Sequence, residues 1–135
     1  MSWVTNVMLG ADMGDFRVVD EFNVWLWEGL PQRDYPERSG RGQLRRITGD
    51  DNGWGGPKHP ECEVWAGTLN HGDLDAVLAK VRALPWTHPN QVQLFMMDQE
   101  QSFFRLWMFR DGELRQYAPT TPVEEDADFF PPWDL

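Results

Sequence analysis

Apolar and polar residues alternate through "SWVTNVML" (residues 2–9), with Trp3, Thr5, Val7 and Leu9 on one side of an extended chain and Val4, Asn6 and Met8 on the other. β-Branched and aromatic residues suit a pleated, half-buried surface, so this stretch is expected to be the first strand. "GADMG" (10–14) reads as a turn. The period then changes: Val19, Phe22, Leu26 and Leu30 in "DFRVVDEFNVWLWEGL" (15–30) recur at helical spacing. Asp15 is a candidate cap for this helix, and Gly29 suits its end.

Residues 31–42, "PQRDYPERSGRG", carry prolines and glycines without an apolar period and read as a surface loop. "GQLRRITG" (42–49) suggests a short second strand, "DDNGWGGPKHP" (50–60) a second loop, and "ECEVWAGTL" (61–69) a third strand. That third strand sets Cys62, Val64 and Ala66 against Glu63, Trp65, Gly67 and Leu69, with Cys62 expected on a buried face. In "NHGDLDAVLAKVRALPW" (70–86), Leu74, Val77, Leu78, Val81 and Leu84 form one stripe. Asp73 or Asn70 is available to cap this second helix, and Pro85 stops it. "NQVQLFMMD" (90–98) alternates again. "SFFRLWMFRDGELRQY" (102–117) places Asp111-Gly112 between two apolar arms, a strong hairpin signal.

This order predicts an α+β fold: a mostly antiparallel sheet with two helices packed on one face, in a ferredoxin-like β-α-β-β-α-β arrangement plus a C-terminal hairpin strand. At 135 residues the chain has room for one core, assigned to residues 1–118. Residues 119–135, "PTTPVEEDADFFPPWDL", form a separate tail with five acids, four prolines and no basic residue. Phe129, Phe130 and Trp133 within it could pack back on the same chain or dock on another protein.

Composition narrows the functional classes. Eight tryptophans and eight phenylalanines suffice to dominate a core and still leave rings for a contact surface. The net charge of −10 opposes attraction to phosphate backbones and anionic lipid, and favours a basic protein partner. One cysteine cannot form an internal disulfide, and "MSWVTNVML" lacks the pattern of a secretory leader, so a reducing, cytoplasmic setting is expected. No apolar run approaches the roughly 20 residues that span a bilayer.

Candidate chemistry concentrates in "NGWGGPKHPECEVWAG" (52–67). Its glycines and Lys58 lack phosphate-loop spacing. Asp50, Asn52, Gly55 and Glu61 fall at EF-hand positions 1, 3, 6 and 12, but Trp54 takes a ligand position. His59 and Cys62, with His71, Asp73 or Glu61, lack the second close pair of a zinc site. A Cys62 nucleophile would need His59 or His71 beside it. Glu61 and Glu63 can share a strand face, as a solvated face also allows. Arg33, Arg38, Arg41, Arg45 and Arg46 outnumber Asp34 and Glu37 in residues 31–49, an anion site or a solvated loop balanced by acidic neighbours. No catalytic, metal or cofactor residue is assigned.

At "MSWVTNVML", "GGPKHPECEVWAGTLNHGDLDAVLAKVRALPW" and "VQLFMMDQEQSFF" the chain resembles a group of short bacterial proteins, mainly actinobacterial, to which no activity is attached. Pro57 interrupts the Gly-Gly-Lys run of that group, and the acidic tail looks like an addition. In kind only, a small acidic α+β chain also resembles the immunity proteins that neutralise basic bacterial toxins. The expected function is therefore a non-enzymatic protein-binding module. Its contacts are assigned to Trp54, Trp65, Glu124, Glu125, Asp126, Asp128, Phe129, Phe130 and Trp133. A small-molecule or carbohydrate binder using exposed tryptophans is the alternative, followed by a Cys/His enzyme.

Overall fold

A computed structural model describes residues 3–48, 61–99 and 104–117. Its elements are β1 (Val4–Asp12), a short 3-10 turn at Met13–Asp15, α1 (Phe16–Glu28), β2 (Arg41–Arg46), β3 (Cys62–Asn70) and α2 (Leu74–Ala83). A second 3-10 turn at Pro89–Gln91 precedes β4 (Gln93–Asp98), β5 (Arg105–Arg110) and β6 (Glu113–Tyr117). The six strands form one sheet in the order β2-β3-β1-β4-β5-β6, and every neighbouring pair is antiparallel. The first four strands and both helices reproduce the expected ferredoxin-like arrangement, and the hairpin β5-β6 widens the sheet beyond β4.

Alternation along β1 fixes which side is interior. Thr5, Val7, Leu9 and Ala11 are buried, and they lie in one core with Val19, Phe22, Leu26 and Leu30 from the first helical segment and Val77, Val81 and Leu84 from the second. Both helical stripes thus cover the same sheet face. Burial of such a side chain contributes about 1.5–3 kcal/mol, so these rows dominate the stability of the domain. The first strand runs to Asp12, three residues past its expected end at Leu9. Ala11 is enclosed by the core, and the register with β3 continues to Asp12 opposite Cys62.

Polar groups finish the helix ends and one sheet edge. Asp73 caps α2 by accepting from the N–H groups of Asp75 and Ala76, as its position implied. Asp15 precedes α1 but makes no side-chain cap there. Its buried carboxylate instead accepts from the backbone N–H groups of Thr87 and His88, at 2.8 and 2.9 Å, and ties the chain after α2 to the start of α1. On the edge strand β2, Asn23 of α1 accepts from the Leu44 N–H at 2.8 Å and donates to the Leu44 carbonyl at 2.9 Å. A side-chain amide there takes the place of a further strand and closes part of that edge.

Asp111 and Gly112 both take positive φ, 52° and 77°, the backbone of a type I′ hairpin turn. Gly67 meets a different demand, because a Cβ there would run into the Gln43 carbonyl oxygen across the β2–β3 pair. Gly67→Ala should therefore lower the unfolding free energy by about 1–3 kcal/mol, the usual cost of overpacking. Gly10→Ala is its control: the nearest atom to an added Cβ is 3.7 Å away, and chemical denaturation should show stability unchanged or slightly raised.

Candidate functional site

Cys62 stands at the exposed start of β3, on the side of the sheet away from the helices, contrary to the buried position expected for it. The reason is register: Cys62 faces Asp12, and both project opposite to Ala11 and Glu63. Its Sγ donates to Gln91 Oε1 at 2.9 Å. Partial desolvation pushes the thiol above its ordinary pKa, and the carboxylates of Asp12 and Glu61 push it further. Little thiolate is present near neutrality. His71 lies just past the other end of the nine-residue strand, roughly 30 Å along it at about 3.3 Å per residue, and bonds Asn70 instead. His88 is the described histidine at the Cys62 end, with Nε2 3.7 Å from Asp12 Oδ2.

No group of three or more His, Cys, Asp or Glu able to hold a metal ion occurs among the described residues. His59, Lys58, Asp50, Asn52, Trp54 and Gly55 lie outside them. Glu61 and Glu63 do not share a strand: Glu61 is exposed in the bend before β3, and Glu63 is buried within β3.

The arginine-rich segment is committed largely to internal partners. Arg33 forms a two-pronged pair with Asp98, at 3.0 and 3.2 Å, donates to the Gly72 carbonyl, and lies over the Trp3 ring. Thr5 donates to the same carboxylate at 2.8 Å. The Arg33 hydrogen bonds hold the Asp98 carboxyl below its ordinary pKa, outweighing its desolvation, with Thr5 assisting. Arg46 reaches Glu63 at 3.2 Å, Arg38 lies over Tyr35, and Arg41 over Trp27. Arg33 thus ties the loop after α1 to β4, Arg38 stays within that loop, Arg41 joins β2 to α1 and Arg46 joins β2 to β3, while Arg45 is exposed on β2.

The outer side of α1 is of a different character. Its core stripe uses Val19, Phe22 and Leu26, yet Phe16, Val24 and Trp27 are also apolar and remain 49, 56 and 51% exposed. At 100° per residue, Phe16, Asp20, Val24 and Trp27 fall within one 80° sector, so they line up along the helix. Asp20 thus interrupts the apolar row, Glu21 and Glu28 lie beside it, and Arg17, the one basic residue of α1, lies over the Phe16 ring with its Cζ 5.7 Å from the centroid.

Two depressions adjoin the ridge. One, of about 290 Å³, is lined by Met13, Phe16, Asp20, Arg46, Glu63 and Trp65. The other is a shallow groove of about 420 Å³ between the helices, lined by Glu21, Val24, Trp25, Glu28, Gly29 and Lys80, with the Lys80 ammonium 5.9 Å above the Trp25 ring. Trp65, expected on a contact surface, is instead a core residue with 6% exposure whose edge floors the first recess. It sits on the helix-covered side of β3 because Trp65 pairs with Leu9, an interior residue of β1. Trp54, Glu124, Glu125, Asp126, Asp128, Phe129, Phe130 and Trp133 lie outside the described residues. The exposed row on α1 was detectable as apolar residues in excess of one stripe.

No protein-family model, no curated protein and no solved structure matches the chain. Among the described residues, no helix is long and apolar enough to cross a membrane.

Two measurements follow from these groups. Cys62 should alkylate more slowly at pH 7.5 than a free cysteine thiol, and Asp12→Asn should speed it by removing a charge that disfavours the thiolate. Because the folded Asp98 pKa is depressed, its stabilising effect is complete above the unfolded value of about 3.9 and is lost as pH falls through the folded value. Asp98→Asn should accordingly flatten the acid limb of stability below about pH 4, followed by denaturant midpoints at successive pH values.

Proposed function

We propose that the protein is a non-enzymatic protein-binding module, immunity-like in kind, which engages a basic protein through the outer side of α1. The observation that carries this reading is the row of half-exposed Phe16, Val24 and Trp27, with Asp20 within it, Glu21 and Glu28 beside it, and Arg17 and Arg41 lying over Phe16 and Trp27. An apolar strip is ordinary at the centre of an interface, where aromatic anchors provide most of the affinity. Acidic residues beside it, on a chain of net charge −10, accelerate encounter with a cationic surface. The two adjoining depressions give a partner side chain somewhere to insert.

Catalysis by Cys62 receives no corresponding support. Its thiol is held in the protonated form, and His71 lies a full strand away. An anion-binding use of the arginine segment is likewise weakened by the internal partners of Arg33, Arg38, Arg41 and Arg46.

The test pairs capture with kinetics. Full-length protein immobilised in source-cell lysate should retain a basic protein, and Trp27→Ala with Phe16→Ala should weaken that complex by more than about 30-fold, as loss of an interface anchor does. The association rate of the purified pair should fall as ionic strength rises from 0.01 to 0.15 M, where the screening length shrinks from about 30 to about 8 Å. Equal binding by the double variant would remove α1 from the interface, and a salt-independent rate would remove the steering argument.

A further inference from the structure

The sheet has a second face, and it is apolar as well. Register and burial assign Val4 and Met8 of β1, Val64 and Ala66 of β3, Phe95 and Met97 of β4, and Leu106 and Met108 of β5 to the side opposite the helices. Phe104 meets Phe95 edge to face there, with ring centroids 6.5 Å apart. An antiparallel sheet covered on one side ordinarily presents polar side chains on the other. Here one unbroken apolar row, Ala66, Met8, Phe95 and Leu106, crosses four strands, with Asn6, Thr68 and Gln93 among the neighbouring positions, and both described helices lie on the opposite side.

We propose that this face is the seat of the chain's own residues 119–135. Tyr117, the last residue of β6, pairs with Leu106 and so has its side chain on the same face, which places the start of the segment at the margin of that row. Seventeen residues reach roughly 55 Å when extended at about 3.3 Å each, whereas six strands about 4.8 Å apart span only about 24 Å. The segment supplies Phe129, Phe130 and Trp133 for an apolar surface. Its four prolines lack the N–H that a sheet-edge ladder would require, which favours lying across a face over extending an edge.

Charge adds one cation. By register Arg45, Arg110 and Arg115 lie on the open face or its margins against Asp12 and Glu113, with Arg115 paired to Glu113 at 3.0 Å and Arg41 lying over Trp27 on the helix side. Residues 119–135 carry five acids and no base. This assignment is independent of the α1 interface, which lies on the other side of the sheet. It separates two roles that the sequence had joined: the tail aromatics cover their own sheet, and the partner meets α1.

Methionine methyl resonances of the full-length protein provide the test, because Met8, Met97 and Met108 report on the open face while Met96 lies in the core and Met13 beside α1. In the full-length triple variant Phe129→Ala, Phe130→Ala, Trp133→Ala, the Met8, Met97 and Met108 methyls should shift, with Met13 and Met96 in place. The unaltered protein should show nuclear Overhauser contacts from Met97 or Met108 methyls to the rings of residues 129–133. Unmoved open-face methyls, or absence of those contacts, would overturn the proposal. So would open-face methyl shifts that change with protein concentration, since a second copy would then be the occupant.

Discussion

The rest of the structure depends on the two-sided pairing of β1. This strand bonds β3 along nine residues and β4 along six, while Thr5, Val7, Leu9 and Ala11 anchor the interior beneath both helices. Pairing on both edges over Thr5–Gly10 fixes the register of the middle of β1 from two sides. A shift by one residue would expose the whole interior row and bury Asn6. The helices then have one place to put their stripes, and the outer strands add to β3 and β4 in turn.

Once that core is closed, the chain still has apolar surface to spare. One stripe from each helix and one sheet face make the interior, yet the outer side of α1 and the open side of the sheet also carry apolar residues. Surfaces of this kind incur a risk of aggregation and are unusual on a protein that acts alone. The two differ in their surroundings: Asp20, Glu21 and Glu28 stand with Arg17 and Arg41 along the α1 ridge, whereas the sheet face opens beside the end of β6 at Tyr117. A protein partner on the first and the chain's own acidic, aromatic segment on the second are the two assignments proposed.

The elements were legible where a single period governed a whole segment. Val19, Phe22, Leu26 and Leu30 announced α1 and all four are interior; Leu74, Val77, Leu78, Val81 and Leu84 announced α2; Asp111-Gly112 announced the hairpin between β5 and β6. Features set by tertiary partners were not legible. Asp15 gave up helix capping for two N–H groups some seventy residues away, and Cys62 took the exposed face because Asp12, not an interior residue, is its register partner. The open face was hidden for a related reason. Phe95, Met97, Leu106 and Met108 read equally well as interior positions until the strand order showed which side the helices occupy.

If α1's exposed row serves recognition and not folding, its removal should leave the domain almost as stable as before. Equilibrium urea unfolding of Phe16→Ser, Val24→Ser, Trp27→Ser against the unaltered protein tests this most directly. The account predicts a combined loss within about 1.5 kcal/mol, the scale of exposed substitutions plus the Arg41–Trp27 contact. A loss of several kcal/mol, on the scale of about 3–5 for truncating a single buried aromatic, would place that row in the core and contradict it.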